Sequence, residues 1–167
     1  MSGSHRGLRK SARGAGAICA AASAVVASLA VAVSSAAAAR AQTSAGTTVH
    51  VIEHAVTDTV VQSGGKGDKT GNLLTFHNFV YNTSNTRRVG HDQGVCVRIF
   101  PPQGSWECMW TTFLAGGQIT VEGPYYDTHN SVLAITGGTG AYRNARGQMS
   151  LLARNGGKEY DFIFQIS

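Results

Sequence analysis

A dense run of glycines, Gly137-Gly138-Thr139-Gly140, follows a short apolar stretch from Val132 to Ile135. A strand followed by a glycine-rich turn is where nucleotide-binding proteins hold phosphate groups on backbone N–H groups. The spacing excludes that chemistry here, because a dinucleotide fingerprint needs a third glycine where Arg143 stands. No Lys-Ser or Lys-Thr pair follows for a P-loop, and the tail after Gly147 is too short for a crossover helix and a second strand. The glycines therefore predict a turn between two strands.

Two cysteines, Cys96 and Cys108, suggest a second kind of chemistry. They lie on consecutive predicted strands on either side of Pro101-Pro102-Gln103-Gly104, and their shared parity places both side chains on one face. The pair can therefore form a disulfide across a hairpin, which would add about 2–3 kcal/mol of stability. The competing interpretation is a free Cys96 thiol, and the two interpretations exclude each other.

The histidines and tryptophans give weaker signals. His50 and His54 share one face of a predicted strand, but no third ligand is recognisable, so we expect no metal site. Trp106 and Trp110 alternate with polar neighbours at strand spacing, which is more typical of core than of a binding surface. Trp110 is kept as a candidate substrate contact.

Strand signals dominate the chain, and no segment shows a sustained helical period. We predict strands at 48–56, 71–81, 89–100, 105–114, 117–122, 131–136, 146–154 and 159–166. Alternation is clearest at the C-terminus, where Tyr160, Phe162 and Phe164 share one face. Eight strands with short connections predict an all-β fold, a closed eight-stranded antiparallel barrel or a sandwich. The interior of such a barrel is either filled by side chains or holds one small ligand.

The N-terminal region has the pattern of a leader. A basic start precedes an uncharged alanine-rich run from Ala15 to Ala39, and Ala39-Arg40-Ala41 is a small-x-small cleavage site. We predict a signal peptide over 1–41, a flexible lead-in over 42–47 and one domain over 48–167. The protein is thus expected to be secreted, with no membrane association after cleavage. All 9 acidic residues follow the leader, which contains five of the 14 basic ones, so the near-neutral mature chain predicts no nucleic-acid partner.

Three blocks carry a resemblance to a known superfamily. They are 71–81 (GNLLTFHNFVY), 89–97 (VGHDQGVCV) and 123–147, which contains Gly-Pro-Tyr, Ser-Val-Leu-Ala-Ile-Thr-Gly-Gly-Thr-Gly and Ala-Arg-Gly. In this order and register they resemble the allene oxide cyclase and dirigent superfamily over roughly residues 48–167. The resemblance implies an eight-stranded, lipocalin-like barrel that is often oligomeric, so a homo-dimer or homo-trimer is expected. It also implies chemistry without a metal or organic cofactor.

The resemblance assigns roles to individual residues. Glu53 falls at the position of the cyclases' catalytic glutamate, Asn78 at that of an asparagine that helps hold a water, Cys96 at that of a cavity cysteine and Tyr125 at that of a cavity tyrosine. From the dirigent side, Asp127, Arg146 and Tyr125 are candidates for polar groups at the cavity. Arg146 has an alternative role as an anchor for the glycine turn. Ala55 stands where a second water-binding asparagine is expected, and the Ser-Pro pair of the cyclases is missing near Val61.

Three functions are compatible with these residues. The first is a cofactor-independent cyclase or isomerase that acts on a small hydrophobic molecule, oxylipin-like or phenolic, with Glu53 as its acid, base or charge-stabilising group. The second is a non-catalytic dirigent-like guide or hydrophobic-ligand binder. The third is a structural extracellular protein with a filled barrel.

Overall fold

The computed structural model describes residues 46–167. They form nine strands: β1 (Thr47–His54), β2 (Thr59–Val61), β3 (Leu73–Tyr81), β4 (Arg88–Phe100), β5 (Ser105–Leu114), β6 (Gly117–Tyr126), β7 (Ser131–Gly138), β8 (Gly147–Arg154) and β9 (Glu159–Ile166). Two single-turn 3-10 helices span Pro101–Gln103 and Gly140–Tyr142. Among these residues no helix is long and apolar enough to cross a membrane. The predicted leader, and residues 42–45 of the predicted lead-in, lie outside the described part of the chain.

The strands close into a barrel. Every neighbouring pair is antiparallel, and the order is β1-β9-β8-β7-β6-β5-β4-β3-β2. β1 also pairs with β3, with Glu53 opposite Val80, and this pairing closes eight of the strands on themselves. Closure leaves β2 as an extra strand at the edge of β3. The predicted eight-stranded antiparallel barrel is confirmed, and the closure removes the exposed edges that a sandwich would have kept.

The barrel interior is packed over much of its length. The inward face of each strand follows the period of two, so that one face is apolar and the other meets solvent. Side chains that are almost completely buried fill the space between strands: Val80, Ile119, Val121, Leu133, Ile135, Met149 and Phe164. The fold thus belongs to the filled end of the range that eight-stranded barrels cover.

The glycine-rich segment forms the turn predicted for it. Its backbone N–H groups are used inside the protein: Thr139 N donates to Gln118 O at 2.9 Å and Ala141 N donates to Gly116 O at 2.8 Å. Gly140 has φ +60°, and a Cβ at this position would lie 2.4 Å from Gly116 O. Glycine is therefore required by close backbone packing, because any side chain would collide with the neighbouring turn.

Candidate functional site

Glu53 occupies the inward face of β1 where the barrel closes. It lies opposite Val80 of β3 on one side and Tyr160 of β9 on the other. The period of two that points Val51 into the core also points Glu53 inward, and only 5% of its surface is exposed. Glu53 therefore faces the barrel interior and not the solvent.

Asn78 holds Glu53 through a fully occupied side-chain amide. Its Oδ1 accepts from the backbone N–H of Val56 at 3.1 Å, from the backbone N–H of Thr57 at 2.9 Å and from Thr57 Oγ1 at 3.0 Å. These donors fix the orientation of the amide, so Nδ2 points the other way and donates to Glu53 Oε1 at 2.6 Å and Asp58 Oδ1 at 2.7 Å. Both N–H groups are used, and none is left for a substrate-bound water. In this structure Asn78 orients the carboxyl group.

Asp92 supplies a second buried carboxyl group, which the sequence did not single out. It is fully buried on β4, and its Oδ1 accepts from the backbone N–H of Asn78 at 3.2 Å. Among residues 46–167 its Oδ2 has no hydrogen-bond partner, and neither does Oγ1 of Thr112, the residue directly opposite on β5. A buried carboxylate with an unsatisfied oxygen is costly, which favours the protonated form.

Burial raises the pKa of both carboxyl groups. For Glu53, loss of hydration raises the pKa well above its ordinary value, the nearby Asp92 raises it further, and the Asn78 hydrogen bond opposes both effects. For Asp92, burial raises the pKa to about 8, against the hydrogen bond from Asn78. Asp92 is therefore expected to carry a proton near neutral pH, and for Glu53 the protonated form is favoured well above its ordinary pKa. A protonated carboxyl group in an apolar site can act as a general acid.

A small cavity lies against Glu53 and is mainly aromatic. The side chains that line it are Glu53, Asp58, Leu74, Phe76, Cys96, Cys108, Trp110, Tyr125, Leu151, Tyr160 and Phe162. The Phe76 and Phe162 rings flank Trp110, with centroids 6.0 Å and 5.5 Å from it. Gly94 makes this packing possible, since a Cβ there would lie 2.3 Å from Cβ of Trp110 and 2.9 Å from Cζ of Phe76. The space is about 40 Å³, far below the roughly 300–1,000 Å³ of drug-sized ligand pockets.

The two cysteines form a disulfide between β4 and β5, where Cys96 lies opposite Cys108. The predicted pairing is present, so no free Cys96 thiol faces the cavity in this structure. Nucleophilic or acid–base chemistry at Cys96 would require prior reduction. The disulfide instead forms part of the apolar wall.

Trp110 lies on the same wall. It is 3% exposed, and within the described part of the chain its Nε1 has no hydrogen-bond partner. Trp110 is thus a core residue, as its position in the alternating pattern predicted. Its indole N–H is also a donor available to a ligand in the cavity.

Tyr125 and Tyr160 close one side of the cavity. Their hydroxyl oxygens lie 2.9 Å apart, and their rings meet edge to face at 6.1 Å. Burial and the hydrogen bond raise the pKa of Tyr125 far above its ordinary value, and burial also raises that of Tyr160. Both hydroxyls are therefore neutral hydrogen-bonding groups at any physiological pH.

Asp127 lies outside the aromatic cavity and is bound to protein partners. Its Oδ2 accepts from Arg98 Nη1 at 2.6 Å, and its Oδ1 accepts from Trp106 Nε1 at 2.9 Å. Arg98 is buried, stacks over the Trp106 ring at 4.3 Å and also pairs with Asp68 in the β2–β3 loop. The arrangement ties two loops to the barrel, so Asp127 is chiefly a structural ion-pair partner.

Arg146, like Asp127, is a predicted site residue that does not line the cavity. It precedes β8 at the end of the barrel where Gly147 lies opposite Ile166, whereas Glu53 and Tyr160 lie towards the other end of their strands. Its side chain is exposed, and its Nη1 donates to Ala145 O at 2.7 Å. This contact favours the turn-anchoring alternative over an anion-binding role.

Several residues of the site were not predicted: Asp58, Asp92 and Tyr160. Tyr160 shares a face with Phe162, and Asp92 shares one with Cys96, so parity alone could have drawn attention to both. Asp58 lies in an irregular segment, where parity gives no information. Within residues 46–167 no three His, Cys, Asp or Glu side chains are arranged to hold a metal ion.

A match to a known family model shows the family to which this chain belongs. The family model described as allene oxide cyclase matches residues 28–154, three quarters of the chain. The chain belongs to the allene oxide cyclase family. This agrees with the resemblance of the sequence blocks. Membership establishes the barrel and its relation to cyclases, and the reaction has to be argued from the residues.

Solved structures share the same barrel. A pyocyanin demethylase matches with a TM-score of 0.62 at 22% identity, over 72% of this chain and 100% of that chain. The pterocarpan synthase dirigent protein GePTS1 matches with a TM-score of 0.59 at 22% identity, over 71% and 83%. AbnU, an exo-specific intermolecular Diels-Alderase, matches with a TM-score of 0.60 at 13% identity, over 74% and 98%. At these identities the similarity shows the fold alone.

Proposed function

We propose that this protein is a cofactor-independent cyclase or isomerase that acts on a small hydrophobic molecule at the Glu53 cavity. The observation that carries the proposal is a nearly buried glutamate held by Asn78 against an aromatic wall. A barrel filled only for stability gains nothing from two buried carboxyl groups, Glu53 and Asp92, whose charged forms are destabilised. Such arrangements are concentrated at functional sites, where an altered pKa is useful.

Glu53 acts as the general acid in this proposal. Asn78 donates to Oε1, so the proton is held on Oε2. From Oε2 it can pass to a substrate oxygen that gains negative charge as a ring of the substrate opens. The aromatic side chains Phe76, Trp110 and Phe162 exclude water and hold the reacting chain in a folded conformation. The proton returns to Glu53 when the product forms, so no external oxidant or reductant is consumed. A general acid of this kind contributes about 10²–10⁴-fold to the rate.

The test uses two short-lived probes generated in situ: an allene oxide of an unsaturated fatty acid, and an ortho-quinone methide with an attached nucleophile. The wild type is expected to convert at least one of them into a cyclic product with an enantiomeric excess, measured by chiral chromatography. Glu53→Gln keeps the shape of the side chain and should return the rate and the enantiomeric ratio to those of the spontaneous reaction. Glu107→Gln, an exposed substitution on β5, is the matched control.

Two results would contradict the proposal. One is full activity in folded Glu53→Gln, with circular dichroism unchanged from the wild type. The other is a spontaneous rate and racemic product from both probes with the wild-type protein.

A non-catalytic guide is the second candidate, and the Cys96–Cys108 disulfide favours it, because the oxidised pair leaves no thiol to take part in chemistry. A guide would bind a reactive intermediate made by another enzyme and bias its stereochemistry. Altered enantiomeric ratio without an increased rate would identify a guide. The cyclase requires that both change together.

We also propose that the protein is exported. A leader-like N-terminus and the disulfide support this, since disulfides persist mainly outside the reducing cytosol.

A further inference from the structure

A second, larger hollow adjoins the cavity at the end of the barrel near Glu53. It lies between the β6–β7 turn and the β8–β9 turn and has a volume of about 360 Å³. We call it the outer groove. It shares three lining residues with the cavity: Tyr125, Leu151 and Tyr160. The groove and the Glu53 cavity thus share a wall that includes these side chains.

The Tyr125–Tyr160 hydrogen bond is the polar part of this partition. Each phenol has one O–H to donate, and a single hydrogen bond between the two uses only one of them. The second O–H has no partner in residues 46–167, so it is available to an oxygen of a ligand. Breaking the pair slows the passage of a ligand, but little free energy is lost once a ligand hydroxyl has replaced it, because the hydrogen bond is then exchanged and not lost.

The groove itself has a flat aromatic wall beside polar groups. The His129 ring stacks on Tyr126 with centroids 4.2 Å apart and an interplanar angle of 21°. Polar side chains from both turns surround this wall, among them Asp127 and Arg154. A stacked pair with polar edges suits a planar ring that bears oxygen better than it suits a flexible alkyl chain.

We propose that the outer groove is a binding site for a planar aromatic molecule that carries a hydroxyl group, and that this hydroxyl replaces the Tyr125–Tyr160 hydrogen bond as the ligand passes to Glu53. The inference rests on the proposed function, because it takes the phenolic rather than the oxylipin-like class as its ligand. It also explains how a cavity of about 40 Å³ can serve a larger molecule: the ligand occupies both spaces once the tyrosines separate.

The probes are 1-naphthol, naphthalene and linoleic acid, with the full chain in its oxidised form. Quenching of tryptophan fluorescence in a stopped-flow instrument reports arrival beside Trp110, and the signal assigned to this residue should disappear in Trp110→Phe. We expect 1-naphthol to bind at least tenfold more tightly than naphthalene, and linoleic acid not to displace it. Equal affinity for naphthol and naphthalene, or displacement by linoleic acid, would overturn the proposal.

Two variants separate passage from capture. Tyr160→Phe removes the inter-tyrosine hydrogen bond but keeps the ring, and should speed the quenching phase about fivefold, the factor for one net hydrogen bond. Tyr142→Phe removes a hydroxyl at the opposite end of the barrel and should leave the rate at the wild-type value. His129→Ala removes half of the stacked wall and should weaken naphthol binding about threefold to tenfold. The same rate in Tyr160→Phe and Tyr142→Phe would refute the role of the tyrosine pair.

The two proposals fail in different ways. If Glu53→Gln loses turnover while 1-naphthol shows no preference over naphthalene, the groove inference is wrong and the proposed function stands. If naphthol binds as described and Glu53→Gln keeps full turnover, the groove is a binding site and the catalytic assignment is wrong.

Discussion

Asp92→Asn should remove a loss of stability that the wild type undergoes as pH rises. The ordinary pKa of the Asp92 carboxyl is 3.8, and burial raises it to about 8 in the folded protein. Between these values the folded state keeps a proton that the unfolded chain has released. Folding is therefore favoured below the unfolded pKa, and this contribution is lost as pH rises towards the folded pKa. Asparagine has no proton to lose and keeps the oxygen that accepts from the backbone N–H of Asn78.

The size of the effect follows from one proton. Each pH unit between the two pKa values costs about 1.4 kcal/mol of unfolding free energy. From pH 5 to pH 7 the wild type should thus lose up to about 3 kcal/mol relative to Asp92→Asn. Glu53 shifts in the same direction and remains in both proteins. Because Asp92 raises the pKa of Glu53, Asp92→Asn also reduces that shift, and both changes lessen the loss of stability as pH rises.

The assay is urea unfolding at pH 5, 6, 7 and 8, with the disulfide intact and tryptophan fluorescence as the signal. Glu107→Gln serves as the control for removing one exposed carboxyl group, and should follow the wild-type pH dependence. Parallel curves for wild type and Asp92→Asn would refute the account of a proton held on Asp92. So would a loss of stability in the variant relative to the wild type as pH rises.

Three further predictions concern the surroundings of the site. Replacing Cys96 and Cys108 by alanine opens a loop with a sequence separation of 12 and should lower the unfolding free energy by about 3 kcal/mol in urea titrations. Turnover that depends on Glu53 should persist, and its loss in the folded variant would indicate a chemical role for sulfur. Arg98→Lys loses the planar guanidinium shared by two carboxylates and the stacking on Trp106, and should lower the unfolding free energy by about 1–2 kcal/mol in the same assay. An unchanged unfolding midpoint would show that these Arg98 contacts contribute nothing to stability. Arg146→Gln should change kcat/KM less than twofold, and a tenfold loss would place its guanidinium at the ligand.

The barrel could be predicted because its strands and turns have clear sequence patterns. Tyr160, Phe162 and Phe164 alternate cleanly with outward residues, and glycine and asparagine mark the turns. β2 was missed because it is three exposed residues long and is held only by pairing with β3. The end of β6 was placed too early, at 122, because Gly123-Pro124 resembles a strand break; the strand continues to Tyr126.

The site was only partly predictable, because its contacts join distant residues. Glu53 and Asn78 were found through resemblance, but the hydrogen bond between them depends on how the barrel closes at β1 and β3. Asp92 was passed over because a lone aspartate in a strand is usually exposed, and its burial follows from the inward face of β4 that it shares with Cys96. Asp127 is a residue type that often contacts ligands, and nothing in the neighbouring sequence shows that its carboxylate is paired with Arg98.

The central claim is that the barrel interior favours the protonated form of Glu53. The most direct test is a carbon-13 NMR titration of the glutamate side-chain carboxyl groups from pH 4 to pH 9, with Glu53 assigned by the signal missing from Glu53→Gln. The predicted result is a Glu53 resonance that stays at the protonated position to a pH well above that at which an exposed glutamate titrates. A Glu53 resonance that titrates near 4.5, its ordinary value, would contradict the account.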